Sequence, residues 1–184
     1  MSVLPIVTFE QVQGQIGNDL RRDRVMPLIH GTSMQVQRSI GRSLLREAFV
    51  EHFDVGYQQQ VYTLFHAPVV AITEVWNDGV LIDPTWWREQ DGMVQFDRHA
   101  PVMGPKYLRI TGTGGMAASQ AEFEAAYPDI VMEALNWIVI RLRRLAQPDV
   151  TNQNVSGTST SYVSTEMPES LRAVLASYRP GGFA

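Results

Sequence analysis

The chain has 184 residues, 45% of them hydrophobic, so it can enclose one substantial core and a smaller subdomain. It contains no cysteine, which excludes a disulfide framework and thiolate metal sites. Its net charge of −4 argues against a protein that wraps nucleic acid through its overall field. No secretion signal is visible at the N-terminus, so we expect a soluble intracellular protein.

Two helices are predicted at the start of the chain. Thr8 to Gln11 forms a capping-box pattern that should begin a short helix ending near Ile16. A second amphipathic helix can begin after Asp23 and end at Gly41. Residues 1–43 are therefore predicted to contribute the N-terminal helices of a helical domain.

A β-rich insertion is predicted next, over residues 44–116. The apolar period changes there from helical to alternating, and turn signals such as Asn77-Asp78-Gly79 separate short apolar runs. No helical pattern interrupts these runs, which favours an antiparallel sheet. The clearest strand-like runs are 60–65, 71–76, 80–82, 93–96 and 106–111. The aromatic pair Trp86-Trp87 is interpreted as filling the small core of this sheet rather than as a platform for a base.

The most apolar predicted helix spans residues 128–146. Val131, Leu135 and Ile138 recur at helical spacing, Leu142 and Leu145 continue that stripe, and Trp137 widens it. Such a broad apolar face must be covered by other elements, so this helix is predicted to be central. Three arginines at its C-terminal end suit the negative end of the helix dipole; they are Arg141, Arg143 and Arg144.

The remaining chain combines a polar arm with a last helix. Residues 147–164 are rich in Asn, Ser and Thr and show no apolar periodicity, which predicts a long loop or arm. Pro168 then begins a helix with a single apolar stripe that includes Leu171 and Leu175.

These elements predict an α+β fold that is mainly helical. A small helical bundle surrounds the central helix, and the antiparallel β subdomain is inserted between the helical halves. Residues 117–184 hold the central helix, the polar arm and the C-terminal helix, and they are expected to pack with residues 1–43 as one helical domain.

The sequence contains few motifs that are typical of catalytic or metal-binding sites. The four histidines stand too far apart for a metal-binding pattern; they are His30, His52, His66 and His99. Four aspartates of the insertion occupy turn positions where they bond to the local backbone; they are Asp78, Asp83, Asp91 and Asp97. No catalytic, metal-binding or cofactor-binding residue is therefore predicted, and the chain is predicted not to be an enzyme.

One glycine-rich run could be mistaken for a phosphate loop. Gly112 to Gly115 follows a strand and precedes a helix capped by Ser119 to Glu122. It lacks the GK[ST] ending, and no parallel strand follows the helix. The run is therefore interpreted as a flexible joint between the insertion and the helical domain.

The order and spacing of these motifs resemble a known family. The segments concerned are 67–75 (APVVAITEV), 77–81 (NDGVL), 107–115 (YLRITGTGG), 127–130 (YPDI), 157–162 (GTSTSY), 167–168 (MP) and 175–179 (LASYR). Together they are similar to the longer phage head-to-tail connector, or adaptor, proteins. The resemblance covers roughly residues 20 to 180, and the β insertion departs from the compact form of that family.

The resemblance implies a structural virion protein without a cofactor. It implies a ring of roughly twelve identical subunits, docked beneath the portal protein after DNA packaging, that extends the DNA channel. The ring would offer a surface to the tail or to a stopper (head-completion) protein. Its place would be the neck of the virion, after assembly in the host cytoplasm. DNA would pass without sequence-specific contact, and no membrane is involved. The alternatives are another neck or tail-completion subunit of similar build and, less favoured, a small-molecule or nucleotide-binding enzyme.

Two contact surfaces are predicted on this basis. A tethered short helix with an aromatic and arginine end can present a hot spot to the portal. Its candidate portal-binding residues are Tyr162, Leu171, Leu175, Tyr178 and Arg179. The arginines of the central helix are more than one helix end uses locally, so at least one is expected to pair with an acidic residue of the neighbouring subunit. These candidate interface residues are Arg141, Arg143 and Arg144.

Overall fold

The computed structural model describes residues 3–54, 60–97, 107–146, 152–155, 158–161 and 166–179, which contain five α-helices, one short 3-10 helix (Pro84–Trp86) and nine strands. The helices are α1 (Phe9–Ile16), α2 (Arg22–Ile40), α3 (Gln120–Ala126), α4 (Pro128–Ala146) and α5 (Glu169–Ala176). The strands are β1 (Glu47–Asp54), β2 (Val61–Thr63), β3 (Val69–Asn77), β4 (Val80–Leu81), β5 (Trp87–Gln90), β6 (Met93–Phe96), β7 (Tyr107–Gly114), β8 (Asn152–Val155) and β9 (Thr158–Ser161). This arrangement confirms the predicted α+β class.

The helix ends follow local rules of capping. The Thr8 hydroxyl accepts a hydrogen bond from the Gln11 amide at 3.0 Å, and the Gln11 side chain accepts one from the Thr8 amide at 2.8 Å. Gly41 ends α2 in the left-handed region with φ of 72°. At α3, Ser119 caps the Glu122 amide as expected, whereas the Glu122 carboxylate accepts from Ala118.

Helix α4 lies at the centre of the helical part and contacts α1, α2, α3 and α5. Its bounds are those predicted from the sequence. The apolar residues it buries cover a wide arc; they are Ile130, Val131, Ala134, Leu135, Trp137, Ile138 and Val139. The predicted stripe does not stay buried to the end of the helix, because Leu142 is half-buried and Leu145 is 66% exposed. Among the described residues, no helix is long and apolar enough to cross a membrane.

The insertion consists of two antiparallel sheets around a separate core. One sheet has the order β1-β7-β3-β4 and the other has the order β2-β6-β5. Both sheets contribute to one cluster of buried residues: Phe49, Tyr62, Leu64, Val75, Ile82, Val94, Phe96, Leu108 and Ile110. The ring of Tyr62 lies 5.4 Å from that of Phe53 and 5.8 Å from that of Phe96, so aromatic contacts fill much of this core.

Two elements differ from the sequence prediction. Strand β5 was not predicted, because its side chains are mostly polar and exposed and give no alternating pattern. The arm predicted as an irregular loop contains an antiparallel hairpin, in which Asn152 to Val155 pairs with Thr158 to Ser161. Strands made mostly of polar residues lack the apolar alternation by which a sequence reveals strands, so both were missed.

The joint between the two parts is closely hydrogen-bonded. The amide of Ala117 donates to the Leu44 carbonyl at 3.0 Å, and the amide of Arg46 donates to the Ala117 carbonyl at 2.7 Å. Gly115 has φ of 125°, and a Cβ at this position would collide with the Leu45 carbonyl. In place of the expected flexible joint, the glycine run allows two backbone segments to approach closely.

Candidate interaction surfaces

Helix α5 is packed into its own subunit. Leu171 and Leu175 are both fully buried in the core around α4. The reason is that α4 exposes more apolar surface than α1, α2 and α3 cover, and α5 supplies a matching stripe. These two leucines therefore cannot reach a portal protein unless α5 leaves the core.

The end of α5 is also fixed within the chain. The Tyr178 hydroxyl donates to the Asp129 carboxylate at 3.0 Å, and its ring packs edge-on against Tyr127 at 5.5 Å. Burial together with the Asp129 carboxylate raises the pKa of Tyr178. The Arg179 guanidinium donates to the Ser39 carbonyl at 2.8 Å, which ties α5 to α2.

The predicted portal-binding set is thus corrected in part. Leu171 and Leu175 belong to the subunit core, and Tyr178 and Arg179 hold α5 against α4 and α2. The sequence shows the apolar stripe of a helix, but it does not show which surface covers that stripe. Tyr162 lies outside the described residues.

The three arginines of α4 have different surroundings. The Arg141 guanidinium lies over the Trp137 ring, 5.3 Å from its centre. Arg144 is half-buried and takes part in an interaction within the chain. Arg143 is exposed, and it contacts no ionic or hydrogen-bonding partner in the described part of the chain. Of the three, Arg143 is therefore the residue available to another molecule.

Arg143 belongs to an exposed face of α4, which we define as Met132, Asn136, Ile140 and Arg143. These residues are spaced three or four apart and so lie on one side of the helix, opposite the buried arc. Met132 is 58% exposed and Ile140 is 49% exposed. The exposed face of α4 therefore combines apolar side chains with a cation, as subunit interfaces commonly do.

The outer face of the four-stranded sheet carries an ordered row of large side chains. Each member of this row is the cross-strand partner of the next, on β1, β7, β3 and β4 in turn: His52, Arg109, Trp76 and Leu81. The Arg109 guanidinium lies 5.0 Å from the centre of the Trp76 ring, and the Trp76 indole donates to Glu74 at 2.9 Å. Trp, Tyr and Arg are the residues that dominate binding energy at protein interfaces.

A groove runs beside this row, along the edge of β3. It has a volume of about 400 Å³ and is lined by Thr73, Glu74, Val75, Leu81, Ile82, Asp83, Pro84 and Trp87. Asp83 accepts hydrogen bonds from the Thr85 amide at 2.8 Å and the Thr85 hydroxyl at 2.7 Å. These bonds hold the pKa of Asp83 below its ordinary value, and the bond from the Thr85 backbone amide has the largest effect. The groove therefore contains an ionised carboxylate at neutral pH.

The sequence did not reveal the row or the groove. Strand alternation places Trp76 and Glu74 on one side of β3, but only the pairing register brings Arg109 and Leu81 beside them. For the tryptophan pair the prediction was half right. Trp87 packs against the core of the insertion, whereas Trp86 is exposed and lines a second cleft of about 340 Å³.

The most buried titratable pair has a structural role. The Glu51 carboxylate accepts hydrogen bonds from the amides of Phe65 and His66, both at 3.0 Å, and pairs with His66 Nδ1 at 2.7 Å. Burial alone would raise the pKa of Glu51, but these three bonds outweigh it and leave the pKa below its ordinary value. In the described ranges, no group of three acidic or histidine side chains is placed to hold a metal ion.

Comparison with solved structures gives matches over nearly the whole chain. A chain in the neck of a native gene transfer agent particle, computed with C12 symmetry, is 13% identical; the match covers 99% of this chain and 91% of that one, with a TM-score of 0.62. A neck chain of the empty particle, computed with C6 symmetry, is 14% identical, with coverage of 99% and 92% and a TM-score of 0.62. A chain in the virion of the native gene transfer agent particle has a TM-score of 0.60 at 13% identity.

These matches establish the fold. Because the similarity includes both the helical part and the insertion, this chain shares the overall fold of these neck chains, in agreement with the fold that the sequence resemblance implied. No protein-family model matches the chain, and no curated protein matches it.

Proposed function

We propose that this chain is a structural head-to-tail adaptor, a subunit of a ring that docks beneath the portal protein and extends the DNA channel toward the tail. The observation that carries the proposal is the full-length fold match to neck chains of a phage-like particle. The C12 and C6 symmetries of those neck structures fit a ring of twelve copies. The virion neck is accordingly the proposed location.

The surface of the subunit supports this proposal. A heterologous contact between neighbours closes into a ring, and it requires two different surfaces on the same chain. The exposed face of α4 and the outer sheet face are two such surfaces, and they lie on the helical part and on the insertion respectively. The net charge of −4 suits a channel through which DNA slides without being gripped.

The C-terminal region, residues 147–184, is retained as the proposed portal-facing part. Since Leu171 and Leu175 are in the core, the contact would come from the exposed side of α5, which includes Arg172, and from the tail that follows Arg179. A chain that ends after Arg179 keeps α5 and its hydrogen bonds, so it should stay folded and lose affinity for the portal. Undiminished binding by both this truncated chain and an Arg172→Glu variant, measured by interferometry on immobilised portal rings, would place the portal contact elsewhere.

The solved structures that match this chain also bear on the alternative functions. They are structural parts of a virion neck, which favours a structural role over an enzymatic one. Reproducible thermal stabilisation by a metal ion or a nucleotide would support the enzymatic alternative. Another neck or tail-completion subunit would be supported if the purified chain bound a tail protein but no portal.

The proposal is tested by removing the gene from the genome that encodes this chain. An adaptor acts after DNA packaging, so the expected products are DNA-filled heads without tails, and a plasmid copy of the gene should restore tailed particles. Normal yields of tailed, infectious particles without the gene would contradict the proposal.

A further inference from the structure

We infer that the groove beside β3 receives an arginine side chain of the adjacent copy in the ring, and that Arg143 is the residue that enters it. This inference rests on the proposed ring and assigns the two surfaces that meet in it. The groove lies on the insertion and Arg143 lies on the helical part, so the contact is heterologous and can repeat from copy to copy.

The two carboxylates of the groove are held in place by hydrogen bonds, and each still has one oxygen that can accept another. Glu74 uses one oxygen, Oε2, to accept the Trp76 indole N–H at 2.9 Å. Asp83 uses one oxygen, Oδ1, for both of its bonds to Thr85. Within the described part of the chain, the second oxygen of each carboxylate has no partner. Each side chain is therefore held in position while it presents a free acceptor to an incoming donor.

The rest of the groove suits arginine in particular. Its lining includes the exposed apolar residues Leu81 and Pro84 and the half-buried aromatic residue Trp87. An arginine can lay its three-carbon stem along apolar walls while its planar guanidinium stacks on an aromatic ring and bonds to carboxylates. An ammonium group is compact and strongly hydrated, and it would use less of this surface.

Arg143 offers matching features on the other side of the contact. It is exposed beside Ile140, which is 49% exposed, on the exposed face of α4. On the insertion, Val80 and Leu81 are 64% and 55% exposed at the rim of the groove. An arginine in the groove would allow Ile140 to cover these residues, which surrounds the charged contact with apolar packing.

The overall charges of the two parts are complementary as well. Residues 47–114 contain nine acidic and four basic residues, a net charge of −5, whereas the rest of the chain carries +1. This difference disfavours contacts between two insertions and steers the insertion of one copy toward the helical part of the next.

The test is a charge-swap cycle in the full chain, with self-association measured by sedimentation velocity over a dilution series. We expect Glu74→Arg and Arg143→Glu each to weaken association by about tenfold or more, and the double variant to recover most of that loss. Asp54→Arg is the matched control on the insertion, because Asp54 is exposed on β1 at the opposite edge of the same sheet. Arg38→Glu on α2 is the control on the helical part.

Circular dichroism would show that each variant folds, and Glu74→Gln removes the charge while it can still accept the Trp76 indole hydrogen bond. Because the chain has no cysteine, a short bismaleimide cross-linker should also join mixed Glu74→Cys and Arg143→Cys chains into pairs that neither variant forms alone; the length of the arginine side chain leaves the two positions too far apart for a direct disulfide. Rings assembled normally by both single reversals would overturn this inference and leave the adaptor proposal intact. A wild-type chain that stays monomeric, alone and with portal, would overturn both.

Discussion

The helical part and the insertion solve the problem of burying apolar surface in different ways. The helical part is organised around one helix, since α4 contacts the four others and buries a wide arc of its surface. The insertion has no such element, and its smaller core is shared between two sheets and filled largely by aromatic rings. A single side chain of α4 should therefore affect the stability of the whole helical part, whereas the stability of the insertion should depend on pairs of aromatic rings. We therefore expect the two parts to unfold separately.

The largest effect is expected from Trp137→Arg. Trp137 is 2% exposed and already has the Arg141 guanidinium against its ring, so the variant would bury an unpaired charge beside another cation. We expect a loss of about 4 kcal/mol or more and no folded helical part at 37 °C. Circular dichroism would check this, with Trp137→Phe as the control that keeps an apolar ring. A Trp137→Arg chain that melts like wild type would contradict the central position assigned to α4.

A smaller loss is expected from Ile138→Ala, because this change leaves a cavity without burying a charge. Ile138 is fully buried in the helical core, and the variant should lose about 2 to 5 kcal/mol in urea unfolding. The matched control is Ile140→Ala on the exposed face of the same helix, which should cost far less in the monomer. Equal losses at the two positions would contradict the assigned faces of α4.

Trp87→Ala should destabilise the insertion and leave the helical part unchanged. Trp87 is half-buried against the core of the insertion, so its truncation should cost roughly 1 to 3 kcal/mol there. Hydrogen exchange should rise in β2, β5 and β6 and stay unchanged in α4. If protection fell equally in both parts, they would form one cooperative unit.

The smallest effect is expected in the pH dependence of the stability of the insertion. The pKa of Glu51 lies below its ordinary value of 4.5, so the folded insertion binds this proton less readily than the unfolded chain does. The resulting stability is present above the ordinary value and is lost as pH falls through the folded pKa. The insertion should therefore lose stability as the pH falls below about 4.5, and Glu51→Gln should flatten that dependence while costing about 1 to 3 kcal/mol near neutral pH. A slope unchanged by Glu51→Gln would assign the acid sensitivity to another carboxylate.

Features that depend on residues close in sequence could be predicted, whereas features that depend on contacts between distant residues could not. The capping box at Thr8 and the bounds of α4 depend on residues close in sequence, and both were predicted. The burial of Leu175 depends on α4, some forty positions away, and the stripe alone did not show whether a partner or the subunit itself would cover it. The pairing of Arg109 with Trp76 depends on register, which the alternating pattern does not specify.

The most direct test of the adaptor proposal is electron microscopy of the purified chain, imaged alone and mixed with its portal protein. We expect portal rings that carry an added ring of twelve subunits with an open channel, with the insertion of each copy against α4 of the next. Portal rings that remain bare at saturating concentrations of the folded chain would contradict it.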